Sequence, residues 1–166
     1  YRLVSRIGHG GMGTVWMAAR NDGRFEGQAA LKLLNAALVG RGGEERFKRE
    51  GTILARLKHP HIVEVFDYGI DKRGPYFTME LLDGQDLSEL EPIPYREACR
   101  YLRDVASSLA LLHTRQRLHR DLSPRNVRLT SDGRCRLLDF GTMAGFGESD
   151  DIVGTPPLVP PEALRG

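Results

Sequence analysis

Two short polar motifs constrain this chain more than any other feature. The first, His-Arg-Asp-Leu-Ser-Pro-Arg-Asn at 119–126, sets Asp121 and Asn126 five residues apart around a proline that stiffens the loop. The second, Asp-Phe-Gly at 139–141, places Asp139 eighteen residues after Asp121. Three oxygen-bearing side chains on two neighbouring loops can receive a hydroxyl proton and hold Mg²⁺. Nucleotide phosphates need such an arrangement, because their charge must be neutralised before an oxygen can attack.

Length and composition set broad limits on the class of protein. The 166 residues are enough for one domain or two small lobes. The net charge is +2, from 24 basic and 22 acidic residues, and does not indicate binding to nucleic acid or to an anionic membrane. Cys99 and Cys135 lie in no Cys-x-x-Cys or Cys/His cluster. We therefore expect both to be small buried residues in a reducing compartment.

The chain begins at Tyr1, within a predicted strand and without a signal peptide. We interpret it as a segment of a longer polypeptide, which can carry additional domains. No apolar run is long enough to cross a bilayer. We expect a cytoplasmic location and no direct membrane contact in this segment, in a parent chain that can carry an anchor elsewhere.

Strand patterns dominate the first half of the chain, and most of the predicted strands are separated by Gly or Asp-Gly breaks. The predicted strands are Tyr1–Ile7, Thr14–Ala19, Gln28–Leu33, Ile62–Tyr68 and Tyr76–Leu81. One helix is predicted at about 44–57, because Phe47, Leu54 and Leu57 fall on one apolar stripe.

Helical periodicity becomes stronger after Asp83-Gly84. Residues 96–113 predict an amphipathic helix, whose apolar residues recur at steps of three and four. These residues are Ala98, Leu102, Val105, Leu109 and Leu112. Two short strands, at 127–129 and 134–138, are predicted around a turn at 131–133. The tail from Thr142 is typical of a loop.

Gly8, Gly10 and Gly13 are spaced as Gly-x-Gly-x-x-Gly. Glycines let backbone N–H groups approach phosphate oxygens without clashes from Cβ. The Rossmann form of this motif opens a helix, whereas residues 14–17 predict a strand. Alone, the spacing fits a plain hairpin loop better than a phosphate cradle.

Lys32 and Glu50 are charged residues within apolar patterns. Lys32 lies in a predicted strand, where a lysine usually faces solvent or an edge, and Glu50 lies between Phe47 and Leu54 on the helical stripe. A carboxylate that faces a core needs a cation partner. The pair would aim the Lys32 ammonium at a phosphate. A solvated Glu50 at the margin of the stripe is an equally good interpretation.

Asp121 is the candidate proton acceptor, and Asn126 and Asp139 are candidate Mg²⁺ ligands. Taken singly, each fits a turn or capping residue. His119 follows the apolar Leu118, so it fits a buried scaffold residue better than a catalytic base.

In their order and spacing these motifs resemble the protein kinase signature set, and the whole chain is similar to bacterial eukaryotic-like Ser/Thr protein kinases. The matching residues are Gly8, Gly10, Gly13, Val15, Lys32, Glu50, 119–121, Asn126, 139–141 and Pro161-Glu162 in place of Ala-Pro-Glu. The resemblance implies an α+β, two-lobed kinase-like fold. Residues 1–82 would form the N-lobe, and 83–166 an incomplete C-lobe that ends soon after the Ala-Pro-Glu-like motif.

The resemblance also implies a function and residue roles: transfer of the ATP γ-phosphoryl to Ser/Thr hydroxyls of a protein substrate, with Mg²⁺. Asp121 would be the catalytic base, with Lys32 and Asn126 in the catalytic set, and Asn126 and Asp139 would hold Mg²⁺. Residues implied to bind the nucleotide are Gly8, Gly10, Gly13, Val15, Ala30, Lys32, Glu50, Met79, Glu80, Leu82 and Arg128.

Some positions depart from the family pattern. Ser123 stands where these kinases usually carry a lysine that neutralises the γ-phosphate, and Arg125 could supply that charge. Arg128 replaces an apolar residue under the adenine; its stem could cover the ring with its head in water, or the nucleotide fits poorly. Because the family's C-lobe continues through several more helices, we expect this segment alone to be unstable or inactive.

Two rival functions remain at this stage. A pseudokinase, meaning a nucleotide-binding or scaffold module with little or no turnover, is favoured weakly by Ser123 and Arg128. An active kinase is favoured over it by the presence of Lys32, Asp121, Asn126 and Asp139. A small-molecule phosphotransferase on a related fold is the other alternative, although 59–63 and 154–162 favour a protein substrate.

Overall fold

The computed structural model describes residues 1–10, 13–20, 27–35, 43–140, 144–145 and 158, without the side chains of 43–46, 50, 144 and 145. The chain forms two compact units. Unit 1 comprises 1–58 and 63–82, and unit 2 comprises 59–62 and 83–166.

Unit 1 is built on a five-stranded antiparallel sheet, in the order β1-β2-β3-β5-β4. Its strands are β1 (Arg2–Gly10), β2 (Gly13–Ala19), β3 (Gln28–Leu34), β4 (Val65–Asp71) and β5 (Gly74–Met79), with helix α1 at Gly43–Ala55. Gly10 pairs with Gly13 across the β1–β2 hairpin. The glycine-rich turn therefore joins two antiparallel strands, as predicted, and does not open a helix.

The apolar stripe of α1 packs into unit 1. Phe47 contacts Phe77 of β5, with ring centroids 4.8 Å apart, and Leu54 and Leu57 are buried as predicted. The prediction of a strand at 62–68 was wrong at its start. Ile62 makes only an isolated parallel bridge to Leu137, because its N–H bonds to the carbonyl of His59 in a turn that contains Pro60.

Unit 2 combines one long helix with short strands. Helix α2 spans Tyr95–Thr114, and strands β6 (Gln85–Asp86), β8 (Val127–Leu129) and β9 (Cys135–Leu137) form a sheet in the order β6-β8-β9. Strand β7 (Arg117–Leu118) pairs with β10 (Ala144–Gly145). Single 3₁₀ turns lie at Leu87–Glu89 and Pro124–Asn126. Neither α1 nor α2 has the length and apolar character that crossing a bilayer requires.

The buried face of α2 differs from the apolar stripe that the sequence suggests. Leu102, predicted on that stripe, is 63% exposed, whereas Asp104 and Ser108 are buried beside Val105 and Leu112. The face is shifted because the two polar side chains are hydrogen-bonded inside unit 2. Cys99 also lies on the exposed side of the helix, which corrects the expectation that both cysteines are buried; Cys135 is buried.

Candidate active site

Asp121 and Asn126 are joined directly within the 119–126 loop. The Nδ2 group of Asn126 donates to the backbone carbonyl of Asp121 at 2.8 Å and to its Oδ2 at 2.8 Å. Asp121 is only 6% exposed. The Pro124–Asn126 turn brings the asparagine back towards the aspartate, since the N–H of Asn126 bonds to the carbonyl of Ser123. The loop thus holds one carboxylate in a fixed orientation.

The loop that carries Asp139 is attached to the same asparagine. The N–H of Leu138 donates to the backbone carbonyl of Asn126 at 2.8 Å, so Asp139 follows directly after the point of contact. Both donors of the Asn126 carboxamide are used on Asp121, which leaves its oxygen as the remaining acceptor. Asn126 and Asp139 are therefore brought together by the fold of unit 2.

The donor atoms of Asn126 and Asp139, the predicted ligands, suit Mg²⁺ better than a metal that needs a complete protein cage. Within the described residues no group of three or more His, Cys, Asp and Glu side chains could hold a metal ion. Mg²⁺ typically takes one or two carboxylates and completes its shell with water and phosphate oxygens. An asparagine oxygen and one aspartate are hard donors of the type that it prefers.

His119 connects the two loops and is buried, at 3% exposure. Its Nε2 donates to the carbonyl of Leu138 at 2.7 Å, and its ring meets the ring of Phe140 edge-on at 5.2 Å. These contacts confirm the prediction that His119 is a scaffold residue. It positions the segment that precedes Asp139.

Both loops contain backbone strain. Arg120 has φ of 66° and Asp139 has φ of 59°, and only Gln116 joins them as a non-glycine residue with positive φ among the described residues. Such conformations cost of order 1–3 kcal/mol each and cluster at functional sites. Two of the three outliers lie next to, or at, a predicted catalytic or metal-binding residue.

In unit 1, four of the predicted nucleotide contacts share one face of the sheet. Val15 of β2 pairs with Lys32 of β3, and Ala30 pairs with Met79 of β5. Directly paired residues, and residues two apart on one strand, point to the same side. Lys32 is buried on this face, at 6% exposure. The strand register therefore places one cation among small and apolar side chains.

The glycines of the first hairpin differ in why the fold needs them. A Cβ at Gly13 would lie 2.0 Å from the carbonyl oxygen of Leu33, so a side chain is excluded there. A Cβ at Gly8 would make only ordinary contact with Val15, and one at Gly10 would meet nothing within 4 Å. Packing of the described residues thus explains Gly13 but not Gly10.

Glu80 is fixed by two hydrogen bonds to Glu64. Its N–H donates to the Glu64 carbonyl at 2.9 Å, and its side chain accepts from the Glu64 N–H at 2.8 Å. The Glu80 N–H and side chain are thus both bonded within unit 1. Leu82 follows Glu80 in the sequence at the end of unit 1.

Arg128 differs from the expectation that its head reaches water. Its Nε donates to the carbonyl of Asp83 at 2.9 Å, Nη2 to the carbonyl of Gly84 at 3.0 Å, and Nη1 to Oδ1 of Asp86 at 3.1 Å. The Arg128 guanidinium is planar and has five N–H donors. Three acceptors in one short segment satisfy these donors better than water at a partly buried position does.

Ser123, which sequence reasoning noted only as a departure, is buried, and its hydroxyl has no hydrogen-bond partner in the part of the chain that the structure describes. It precedes the Pro124–Asn126 turn but does not cap it. Asp86 was not predicted as a site residue at all, and no sequence pattern marked it. The Glu50 side chain, Gly141 and Pro161-Glu162 lie outside the described residues, as does the predicted loop from Thr142 except at 144–145 and 158. The loop prediction was wrong at 144–145, which form β10 by pairing with β7.

All residues from 1 to 166 match the protein kinase domain family. The chain belongs to this family. It is 34% identical over 177 residues to the serine/threonine-protein kinase PknL of Mycobacterium bovis, covering 99% of this chain and 43% of that protein. It is 33% identical to the serine/threonine-protein kinase pkn2 of Myxococcus xanthus, covering all of this chain and 22% of that protein.

The fold is also that of solved kinase domains. The crystal structure of the PknI kinase domain from Mycobacterium tuberculosis matches with a TM-score of 0.73 and 37% identity, covering 84% of this chain and 58% of that one. This confirms the α+β kinase fold, with a C-terminal lobe that is incomplete relative to PknI. The chain spans less than half the length of the curated relatives described above.

Proposed function

We propose that this protein is a kinase that transfers the γ-phosphoryl group of ATP to serine or threonine hydroxyls of protein substrates. The observation that carries the proposal is the buried Asp121 carboxylate, bonded by Asn126 beside the attachment point of the Asp139 loop. Membership of the kinase family supports it, as do the names of the relatives. A carboxylate held in one orientation suits a base that must meet an incoming hydroxyl.

Each of the proposed site residues has a separate role in phosphoryl transfer. Asp121 accepts the proton of the attacking hydroxyl, while the Asn126 amide keeps the carboxylate oriented. Lys32 binds phosphate oxygens, and Val15, Ala30 and Met79 line the base on the same face of the sheet. Backbone groups of Glu80 and Leu82 bind the edge of the base.

Mg²⁺ would be held by Asn126 and Asp139, where it would supply charge neutralisation on the phosphates. Gly8, Gly10 and Gly13 let backbone N–H groups approach the same phosphates. Glycine at position 10, which packing does not explain, supports this role. Glu50 would pair with Lys32.

We further propose that residues 1–82 form the N-lobe of the kinase and 83–166 part of its C-lobe, and that the protein acts in the cytoplasm on protein substrates, not on nucleic acid. A near-neutral charge balance supports the last point. Arg125, exposed at the end of the Pro124–Asn126 turn, would supply the charge that Ser123 lacks.

Transfer of radiolabelled phosphate from ATP by the full-length protein tests the function. We expect labelled Ser or Thr in a protein acceptor, and a fall in rate of about 100-fold or more in Asp121→Asn, as general-base loss predicts. Lys32→Met should lose activity to a similar extent. Arg103→Ala, an exposed change on α2, is the control that should leave the rate unchanged.

The same assay separates the alternatives. Activity that survives in both Asp121→Asn and Lys32→Met would refute the proposed roles. Nucleotide binding without transfer in the wild-type protein would favour the pseudokinase, which the missing lysine at Ser123 supports. Label that appears only on a small molecule would favour a small-molecule phosphotransferase.

A further inference from the structure

The contacts of Arg128 give this unusual residue a specific task. We propose that Arg128 is a positioning residue that fixes the 83–86 segment against β8 and thereby sets the affinity for nucleotide, an inference that rests on the proposed kinase function. Its guanidinium reaches the carbonyls of Asp83 and Gly84 and the carboxylate of Asp86. An apolar residue at this position could make none of these bonds.

The 83–86 segment needs such a device because its own strand is very short. Strand β6 has two residues, and only two register pairs, Gln85 with Leu129 and Asp86 with Arg128, connect it to β8. A ladder of this length gives little stability alone. The guanidinium adds three hydrogen bonds over four residues.

The remaining bonds of the segment lie at its ends. Ser131 donates to the Asp83 carboxylate through its N–H at 3.2 Å and through its hydroxyl. The N–H of Asp86 donates to the Glu89 side chain at 3.2 Å. Arg128 is thus the residue that bonds both ends and the middle of the segment to one strand.

The ion pair also offsets part of the cost of burying the Asp86 carboxylate. The side chains of Arg128 and Asp86 are 30% and 26% exposed. Burial raises the pKa of the Asp86 carboxyl, and the Arg128 charge opposes that rise. Without Arg128 the half-buried carboxylate would lose its cation partner, which is costly in a partly desolvated position.

Strand β8 connects this segment to the catalytic loop. Asn126, the proposed Mg²⁺ ligand, immediately precedes β8, the strand that holds 83–86. In the sequence, Glu80 and Leu82, the proposed contacts of the base, directly precede the segment. The Asp121–Asn126 bonds do not involve Arg128. Loosening the segment should therefore weaken nucleotide binding more than proton transfer.

The test compares Arg128→Leu, Arg128→Lys and Arg134→Leu in the full-length protein. Arg134 is the matched control, an exposed arginine of the same hairpin whose ion pair is with Asp132. We expect the Kd for ADP, measured by calorimetry, to rise about tenfold in Arg128→Leu, which is ~1.4 kcal/mol. Arg128→Lys should show a smaller rise, because a lysine cannot form the three-bond fork, and Arg134→Leu should show none.

Two further measurements distinguish a positioning role from general loss of structure. Amide hydrogen exchange at 83–86 should become faster in Arg128→Leu and stay unchanged in Arg134→Leu. In activity assays the KM for ATP should rise while kcat stays within twofold. An unchanged Kd in a folded Arg128→Leu variant, or a fall in kcat with KM unchanged, would overturn the inference.

The inference and the proposed function can fail separately. If the wild-type protein binds ADP and Arg128→Leu weakens binding, but no phosphate is transferred, the inference stands and the kinase proposal does not. If phosphate transfer occurs and Arg128→Leu leaves the Kd for ADP unchanged, the kinase proposal stands and the inference about Arg128 does not. A wild-type protein that binds no nucleotide overturns both.

Discussion

The carboxylate of Asp104 lies inside unit 2, where it connects three elements. One oxygen accepts the N–H of Cys135 in β9 at 3.3 Å and lies 3.5 Å from Nδ1 of His61. The other accepts from Arg103 at 3.3 Å. Ser108, one turn further along α2, donates to the His61 carbonyl at 2.6 Å. Polar residues of α2 thus hold the 59–62 segment and β9.

Removing Asp104 should therefore destabilise the protein much more than removing its exposed partner. In Asp104→Ala the Cys135 N–H loses its buried acceptor. The His61 ring keeps its bond to the Cys135 carbonyl but loses the neighbouring carboxylate. We expect the free energy of unfolding to fall by about 2–4 kcal/mol. The Arg103 side chain is 75% exposed, so Arg103→Ala should cost less than about 1 kcal/mol. Urea unfolding followed by circular dichroism measures both, and equal losses would contradict the assignment.

Single residues show where sequence reasoning succeeds and fails. Asp121, Asn126 and His119 could be assigned because their types and spacing match a required chemistry. Asp104 and Ser108 could not, because apolar periodicity treats a buried polar residue as solvent-exposed. Arg128 could be recognised as unusual, but its partners are 42 to 45 residues away in sequence and depend on the β6–β8 register.

The two glycines that border the β6–β8–β9 sheet allow backbone strain to be separated from close packing. Gly84 has φ of +81°, and a Cβ there would lie 2.0 Å from the carbonyl oxygen of Leu129. Gly133, in the β8–β9 turn, has φ of +76°, and a Cβ would meet nothing within 4 Å. The positive φ disfavours a side chain at both positions, but only at Gly84 would a Cβ atom also clash with a neighbouring strand.

We expect Gly133→Ala to lower the free energy of unfolding by about 1–2 kcal/mol, the cost of a left-handed alanine. Gly84→Ala should cost more, by an additional ~2 kcal/mol or more, because β6 must move away from β8 and lose bonds to Arg128. Urea unfolding of the two variants gives the difference directly. Equal losses would show that the sheet relaxes without breaking these contacts.

Among the elements, length decided which could be predicted. Strands β2, β3 and β8 and helices α1 and α2 were predicted within a few residues, because each has a repeating apolar pattern or a marked turn. Strands β6, β7 and β10 have two residues each, which is too short for any pattern. Their pairing is set by tertiary contacts instead, as the tethering of β6 by Arg128 illustrates.

At the scale of the whole molecule, the titrating groups with shifted pKa values occur in both units. Hydrogen bonds from Arg73 lower the pKa of Asp71 in unit 1. In unit 2, hydrogen bonds from Ser131 lower that of Asp83, and those from Thr130 and Arg134 lower that of Asp132. Burial, with a smaller effect of His61, lowers the pKa of His59. Asp86 shifts upward.

These directions predict that stability is lost on acidification in two separate windows. A histidine with a lowered pKa stays neutral in the folded state while the unfolded chain binds a proton, so stability falls as pH drops below about 6.5. Three carboxyls with lowered pKa values stabilise the fold above their ordinary value of 3.8 and lose that contribution as pH falls below it. The raised pKa of Asp86 has the opposite effect on stability, but it is one carboxyl against the three whose pKa values are lowered.

Urea unfolding by circular dichroism between pH 8 and pH 3 tests both windows. His59→Gln should flatten the fall between pH 7 and pH 5 and leave the acid limb unchanged. The Nδ1 atom of His59 accepts the N–H of His61 at 3.2 Å. A proton on that nitrogen would remove this bond, which adds to the effect of burial. Asp71→Asn with Asp132→Asn should flatten only the limb below pH 4. A wild-type profile that is level from pH 7 to pH 5 would contradict the role of His59.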